Sequence, residues 1–225
     1  MFIELRKLLR VSLAPLLTLS LTLVLVACGS TKEKPQADEQ PVAAVSAATG
    51  AVADPYAAHK VDVSAATQQR FDAGLKLIDN KDWPRAKAQF EALRKDEPKL
   101  AGPLVNLAVI ARAQNEHTQA QALLKQAITL NKYNWDAYLL LGLELREAGD
   151  FKGAASAYDN ALALWPDNEQ MHLNAGILHD LYLGEPAAAS AHYQAYLKLH
   201  PGEDKWVKAW AADVERRAGG KGGAQ

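Results

Sequence analysis

Cysteine is almost absent from this sequence: Cys28 is the only one among 225 residues. A single cysteine excludes a disulfide within the chain. A free thiol is also a liability in an oxidising compartment. The position of Cys28, at the exit of the most apolar stretch of the chain, therefore calls for a different explanation.

The stretch before Cys28 has the three parts of a bacterial secretory signal. Three basic residues lie within the first ten, the 17 residues from Val11 to Ala27 carry no charge, and the exit is built of small residues. Seventeen residues are at the lower limit for a membrane-spanning helix, and Pro15 lies inside them. The alternative is an uncleaved N-terminal anchor with an incidental cysteine, which this length disfavours.

The sequence LVAC at residues 25–28 resembles the lipobox of bacterial lipoproteins. The resemblance implies that residues 1–27 are a signal peptide and that Cys28 is diacylated and becomes the mature N-terminus. Each buried methylene adds about 0.8 kcal/mol, so two or three acyl chains hold a protein firmly on a membrane. Gly29 stands where an Asp commonly retains enterobacterial lipoproteins in the inner membrane, so we expect the outer membrane.

The charge of the chain gives no sign of a nucleic-acid partner. Without residues 1–27, which hold three basic residues and one acidic residue, 22 basic and 25 acidic side chains remain. The net charge is then near −3, whereas nucleic-acid binding usually shows as a basic excess on one face.

The chain after the signal has two parts of different composition. Residues 28–63 are rich in Ala, Pro, Ser and charge, with one aromatic residue and no apolar periodicity. Such a segment buries too little apolar surface to offset its ordering entropy, so we expect a flexible tether that spans about 30 Å. From Ser64 onward, Leu, Ala, Trp and Tyr are frequent and regularly spaced, over enough residues for one domain.

Two segments of this domain repeat one pattern at an offset of 68 residues, twice 34. They are GLKLIDNKDWPRAKAQFEALRKDEP at 74–98 and GLELREAGDFKGAASAYDNALALWP at 142–166. A third copy lies halfway between them, and a fourth fits only if one residue is inserted before Gly184. The pattern resembles the tetratricopeptide repeat from Thr67 to Pro201.

This resemblance implies an all-α fold, a right-handed α-solenoid of helix-turn-helix repeats over residues 64–201. The four units are residues 67–100, 101–134, 135–168 and 169–201. Small residues are expected where the first helix of each unit meets the second: Gly74, Ala108, Gly142 and Gly176. Larger side chains fill the gap to the next unit: Phe90, Leu124, Tyr158 and Tyr193. Helix-start signals predict that second helices begin at Asp82, Asp150 and Glu185.

An amphipathic helix is predicted at residues 202–217, before a flexible tail at 218–225. Its apolar residues recur at helical spacing: Trp206, Val207, Trp210 and Val214. The helix is expected to cap the exposed flank of the last repeat, as solenoids require. Alternatively, Trp206 and Trp210 form a face on which a partner docks.

No catalytic motif is present in the sequence. HExxH, GxSxG, Walker and Rossmann glycine motifs are all missing, so we expect neither an enzyme nor a cofactor. His172 and His179 lie seven residues apart and could suit a metal, but in the repeat register they are expected to pack in the interior. Glu144 and Glu147 are expected on solvated helix faces.

The repeat family offers a concave face, formed by the first helix of each pair and open to a peptide. Its predicted residues are Phe71, Leu75, Val105, Asn106, Val109, Arg112, Leu139, Leu143, Arg146, Leu173, Asn174 and Ile177. In this family an asparagine at the place of Asn106 or Asn174 often binds ligand backbone, because its amide both donates and accepts. Alternatively, the two asparagines bond to nearby backbone of their own chain.

The predicted ligand is an extended or helical apolar segment. Chaperone-binding members of the family clamp a C-terminal carboxylate with lysines. Gly102 and Asp136 occupy places where such lysines occur. This departure argues against a carboxylate clamp.

These features together predict a lipid-anchored, periplasm-facing adaptor that binds protein partners of the bacterial envelope. The layout is similar to that of pilotins of type IV pilus secretins and of accessory proteins beside energy-transducing transport complexes. One alternative is a lipoprotein that regulates or recruits a cell-wall enzyme. A more distant one is metal or small-molecule binding through His172 and His179.

Replacing the lipidated residue tests the anchor. We expect a Cys28→Ser variant to stay as an unprocessed precursor or to leave the membrane fraction, because it offers no sulfur for acylation. Fractionation and intact-mass measurement check this outcome. Wild-type protein with Met1 intact and no lipid mass would contradict it.

Overall fold

The computed structural model describes residues 53–59 and 61–220, and this part of the chain is built of α-helices without a strand. The helices are α1 Pro55–His59, α2 Ala65–Asp79, α3 Trp83–Asp96, α4 Gly102–Ala113, α5 His117–Leu130, α6 Trp135–Glu147, α7 Phe151–Leu164, α8 Glu169–Leu178, α9 Pro186–Leu199 and α10 Lys205–Gly220. A π-helical turn, His179–Leu183, follows α8 directly. The all-α prediction is confirmed.

From α2 to α10, each helix packs against the helices that precede and follow it in the chain. Four hairpins result, α2–α3, α4–α5, α6–α7 and α8–α9, and α10 lies against α9. A structure in which each unit contacts only its neighbours along the chain is a solenoid. The predicted architecture of four stacked repeats closed by a C-terminal helix is therefore confirmed.

Capping side chains fix where the helices begin. Asp82 and Asp150 each accept a hydrogen bond from the backbone N–H three residues later, at 3.3 and 2.9 Å. The second helices α3 and α7 thus begin where the sequence predicts. Asn134 and Asn168 do the same for the first helices α6 and α8, at 3.1 and 2.9 Å. These two caps were not anticipated from the sequence.

Each hairpin turn holds one residue in the left-handed backbone region: Lys81, Asn115, Gly149 and Gly184. The first three are 34 residues apart, and Gly184 comes after 35. The additional residue lies in the π-helical turn His179–Leu183, whose wider winding absorbs it without breaking the helix. The insertion predicted before Gly184 is confirmed.

Three repeats share a close contact between a glycine of the first helix and an aromatic ring of the second. The pairs are Gly74 with Phe90, Gly142 with Tyr158, and Gly176 with Tyr193. A Cβ atom added to Gly74 would lie 2.7 Å from the Phe90 ring, and one added to Gly176 would lie 2.6 Å from the Tyr193 ring. Both distances are shorter than van der Waals contact, so the rings fit there because glycine has no side chain.

The same rings also link successive repeats. Tyr158 is fully buried and belongs to one apolar cluster with Met171, Ala175 and Leu178 of the next first helix. Tyr193 belongs to a cluster with residues of α10. Tyr158 and Tyr193 therefore pack within their own hairpins and against the following element, as the sequence predicts for these positions.

Two predicted boundaries differ in the structure. The predicted tether, 28–63, contains α1, because Asp54 accepts a hydrogen bond from the backbone N–H of Tyr56 at 2.8 Å and Pro55 starts the helix. The C-terminal helix continues to Gly220, beyond the predicted end at 217.

Several predictions concern parts of the chain outside the described residues. These are the signal peptide 1–27, lipidated Cys28, most of the tether and the tail from residue 221. Within the described ranges, no helix combines the length and apolarity needed to cross a bilayer.

Adding a methyl group at Gly142 tests the glycine–aromatic contact. The Cβ of a Gly142→Ala variant would overlap the Tyr158 ring. We expect the free energy of unfolding to fall by about 1–3 kcal/mol, since overpacking outweighs the gain in helix propensity. Denaturant melts followed by circular dichroism measure this change.

Gly219→Ala is the matched control, because a Cβ there meets no atom within 4 Å. It should leave stability unchanged or raise it by up to about 1 kcal/mol. Equal melts for the two variants would contradict the packing described for Gly142.

Candidate functional site

The concave face has an apolar floor. Phe71, Val105 and Leu143 are buried. The other apolar members are partly exposed: Leu75, Val109, Leu139, Leu173 and Ile177. Adjacent repeats meet on this face, since a Cβ at Gly102 would touch the Phe71 ring at 3.0 Å. A surface with partly exposed aliphatic side chains from every repeat can bind an apolar segment of another chain.

The two predicted anchor asparagines bond to their own helices. Asn106 Nδ2 donates to the Gly102 carbonyl at 2.9 Å, and Asn174 Nδ2 donates to the Gln170 carbonyl at 2.8 Å. These bonds correspond to the alternative interpretation, in which the amides bond to nearby backbone. The Oδ1 atom of Asn106 is buried and accepts no hydrogen bond from the described residues. This oxygen is closed to solvent, so a ligand reaches it only if the Asn106 side chain turns outward.

Arg112 lies in a charged cluster that joins the second and third repeats. Its Nε atom is 3.1 Å from Glu144 Oε1, and its guanidinium also contacts Glu147. His117 Nδ1 lies 2.9 Å from the other oxygen of Glu144. We call these four residues the Arg112 cluster. Because both glutamates engage its guanidinium, Arg112 acts as an internal link between repeats.

The expectation that Glu144 faces solvent is wrong, because it is only 1% exposed. A carboxylate tolerates such burial only where cations and hydrogen-bond donors surround it, as Arg112 and His117 do here. The position of Glu144 within the repeat could have predicted its burial. Glu144 aligns at 34-residue spacing with Ile110 and Leu178, and both are buried.

Arg146 contributes to an exposed aromatic patch beside this cluster. Its guanidinium lies 5.4 Å from the centre of the Tyr182 ring, and Tyr182 lies 5.1 Å from Phe151. Leu181 is 50% exposed and Tyr182 is 43% exposed. We call these four residues the turn patch. It arises because the π-helical turn presents LYL where the other hairpins have polar turns.

The hydroxyl of Tyr158 lies near both arginines. It is buried and has no hydrogen-bond partner among the described residues. Burial raises its pKa to about 12, while Arg146 and Arg112 act in the opposite direction. The ring reaches this position because Gly142 leaves the space open.

His172 and His179 both lie against a third histidine, His192, which the sequence analysis did not single out. His172 Nδ1 is 3.0 Å from His192 Nδ1, and the rings of His179 and His192 stack at 5.4 Å. Burial, His172 and His179 together lower the pKa of His192 to about 4. Both predicted histidines are partly buried, as expected for packing positions.

The described residues contain one group whose ligand atoms converge enough for a metal ion, and it excludes His172 and His179. It consists of His117, Glu144 and Glu147. Arg112 already contacts both of these carboxylates. The arrangement is therefore that of an ion-pair network between repeats.

The two C-terminal tryptophans have different environments. Trp210 packs against Tyr193, with ring centres 6.0 Å apart. Trp206 is 59% exposed. The packed side of α10 is formed by Val207, Ala211 and Val214. Trp206 is therefore not part of the packed stripe, and of the two predicted docking residues it is the accessible one.

Comparison with known proteins identifies the repeat. The family model described as tetratricopeptide repeat matches residues 71–134, 105–169 and 139–204. No curated protein sequence is similar enough to this chain to count as a match.

Solved structures with the same arrangement of helices share little sequence with this chain. The structure of Pseudomonas aeruginosa pilF superposes with a TM-score of 0.60 at 20% identity, over 71% of this chain and 78% of that chain. A tetratricopeptide repeat protein from Parabacteroides merdae gives 0.59 at 18% identity over 70% of this chain, which spans 62% of that protein. A structure of Naa15/Naa10 bound to HypK-THB gives 0.58 at 23% identity, over 68% of this chain and 23% of that chain. Identities this low establish the fold alone.

Removing the guanidinium tests the role of Arg112. In an Arg112→Ala variant, the buried carboxylate of Glu144 loses the guanidinium and keeps the His117 ring at 2.9 Å. We expect the free energy of unfolding to fall by about 2–4 kcal/mol at neutral pH. The measurement is urea denaturation followed by circular dichroism.

Arg70→Ala provides the comparison. Arg70 pairs with Asp96 at 2.8 Å, but their side chains are 38% and 52% exposed. An exposed pair contributes at most about 1 kcal/mol, so this variant should stay close to wild type. If Arg112→Ala were as mild as Arg70→Ala, the Arg112 cluster would not link the repeats.

Proposed function

This chain belongs to the tetratricopeptide repeat family, and on that premise we propose that it is a lipid-anchored, periplasm-facing adaptor of the bacterial envelope. It binds a protein partner through its concave face and assists the assembly or operation of an envelope complex. It acts by positioning the partner and performs no catalysis.

The observation that carries this proposal is the exposed apolar floor of the concave face. Aliphatic side chains from each of the four repeats remain partly exposed, and the Asn106 acceptor is buried without a hydrogen bond from the described residues. Covering apolar surface contributes roughly 25 cal/mol per Å², and a backbone N–H that reached Asn106 would satisfy its oxygen. Both features suit a polypeptide segment.

The turn patch extends this surface at one edge. Its composition, two aromatic rings with an arginine and a leucine, is the kind that concentrates binding energy at protein interfaces. Arg146 belongs to both the concave face and the turn patch. A partner that fills the groove and turns over this edge would bury Leu181 and Tyr182, which are otherwise exposed.

The lipobox resemblance at residues 25–28 supports the anchor, and the spacing to the repeats supports the adaptor. Twenty-six residues separate Cys28 from Pro55. For the flexible tether that the sequence predicts there, coil scaling gives a span of about 30 Å. The repeats then work close to the membrane, within reach of other envelope proteins, and the absence of Asp at position 29 favours the outer membrane.

Two single substitutions separate the candidate partner faces. Val109→Glu places a charge on the apolar floor, and Trp206→Ala removes an exposed ring from α10. Neither side chain is fully buried, so both variants should keep wild-type helicity. We expect Val109→Glu to reduce the crosslinked partner by about tenfold or more, because a carboxylate there must be desolvated when the groove is covered.

The assay is chemical crosslinking in the native membrane, followed by purification and quantitative mass spectrometry of the same partner in each variant. Asn106→Ala combined with Asn174→Ala should also weaken the interaction, by about the contribution of one or two hydrogen bonds. Loss of the partner in Trp206→Ala with retention in Val109→Glu would move the binding face to α10 and refute the groove.

A further inference from the structure

The short helix α1 folds back onto the start of the third repeat and the loop that precedes it. The ring of His59 stacks on Tyr133, with centres 3.7 Å apart and planes at 23°. Pro55 lines a crevice together with Tyr133, Trp135 and Trp165. These contacts join residues that are about 75 or more positions apart in the chain, so they are tertiary and not a continuation of the first repeat.

This contact lies at the edge of the concave face. Asp136 belongs to the first turn of α6 and precedes Leu139 by three residues, so the two side chains lie on the same side of the helix. Tyr56 and Asp54 are both close enough to Asp136 to interact with it electrostatically. Helix α1 therefore covers the end of the groove at the third repeat.

Helix α1 is weakly attached to the repeats. The helix has five residues, none of them fully buried. A single helical turn is unstable on its own in water, so α1 depends on tertiary contacts such as the stack of His59 on Tyr133. An element of this kind can separate while the solenoid stays folded.

We propose that α1 is a releasable latch over one end of the concave face, and that acidity holds it closed because the Asp136 carboxyl lies where α1 meets the solenoid. Ionisation of Asp136 is unfavourable inside this contact, so it favours detachment of α1 from Tyr133. Detachment uncovers Asp136 and the groove beside it, and adds the residues of α1 to the length of the tether.

The electrostatics of the contact agree with this direction. Asp136 is partly exposed as a residue, yet burial of its carboxyl raises its pKa from 3.8 to about 7, and Asp54 adds to the rise. Among the described residues, the other charged or titratable groups at the contact are Tyr56, His59, Lys132 and Tyr133. The Lys132 ammonium lies 5.1 Å from the centre of the Tyr133 ring.

The sign of the pH effect follows from linkage. An acid whose pKa is raised in the closed state binds its proton more tightly there than in the open state. Closure is therefore strongest in acid, weakens as the pH rises from the ordinary pKa of the carboxyl toward about 7, and levels off above that. Within this window the closing equilibrium constant falls by about tenfold per pH unit.

Chymotrypsin cleavage after Tyr56 in the full-length protein in detergent micelles reports release of the latch, because α1 must open to enter the protease. The quantity compared is the ratio of the cleavage rate of wild type to the cleavage rate of Asp136→Asn. Both rates are measured by intact mass at pH 6 and at pH 8. The pH dependence of the protease cancels in this ratio. We expect the ratio to rise by about tenfold between the two pH values.

Three further variants complete the test. Tyr133→Ala and His59→Ala remove the two stacked rings, and each should be cleaved at least about fivefold faster than wild type at pH 6, with unchanged helicity. Asp159→Asn alters an exposed carboxylate on α7 and should match wild type at both pH values. If neither stacking variant is cleaved faster, α1 is not latched. If the Asp136→Asn ratio is the same at pH 6 and pH 8, acidity does not control the latch.

Discussion

The contact between an aromatic ring of one helix and a glycine of its partner is the constraint on which the other features of this fold depend. Where Tyr158 meets Gly142, the absence of a side chain lets α6 and α7 approach until the ring lies over backbone. The same ring packs with Met171 of the next hairpin. One side chain therefore sets both the spacing within a repeat and the spacing to the next, and the stack follows from its recurrence.

Ion pairs reinforce the stacking of the second repeat on the third. The Arg112 cluster spans the second and third repeats, and a carboxylate lies in a position that is apolar in the neighbouring repeats. Buried ion pairs rarely add stability compared with apolar residues, but breaking one is costly. Glu144 thus makes the relative position of two repeats depend on a specific partner. A groove formed across several repeats benefits from such fixed geometry, since its shape depends on how they stack.

The repeats were predictable because their signals are local and periodic. Small and aromatic residues recur at 34-residue spacing, and even the additional residue before Gly184 could be located by counting. The less predictable features depend on contacts between residues far apart in the chain. Nothing in the composition of residues 28–63 indicates that His59 meets Tyr133, and the helical spacing of Trp206 does not reveal that it lies off the packed stripe of α10. The burial of Glu144 could be predicted only by comparing its position with those of Ile110 and Leu178 in neighbouring repeats.

Photocrosslinking in living cells shows whether the concave face binds the partner. A photoreactive benzoyl-phenylalanine replaces Val109 on the concave face, Leu130 at the exposed end of α5, or Trp206 on α10. We expect an adduct with one envelope protein from position 109 and little from position 130, although Leu130 is 45% exposed. An adduct from position 206 or 130 without one from position 109 would contradict this expectation.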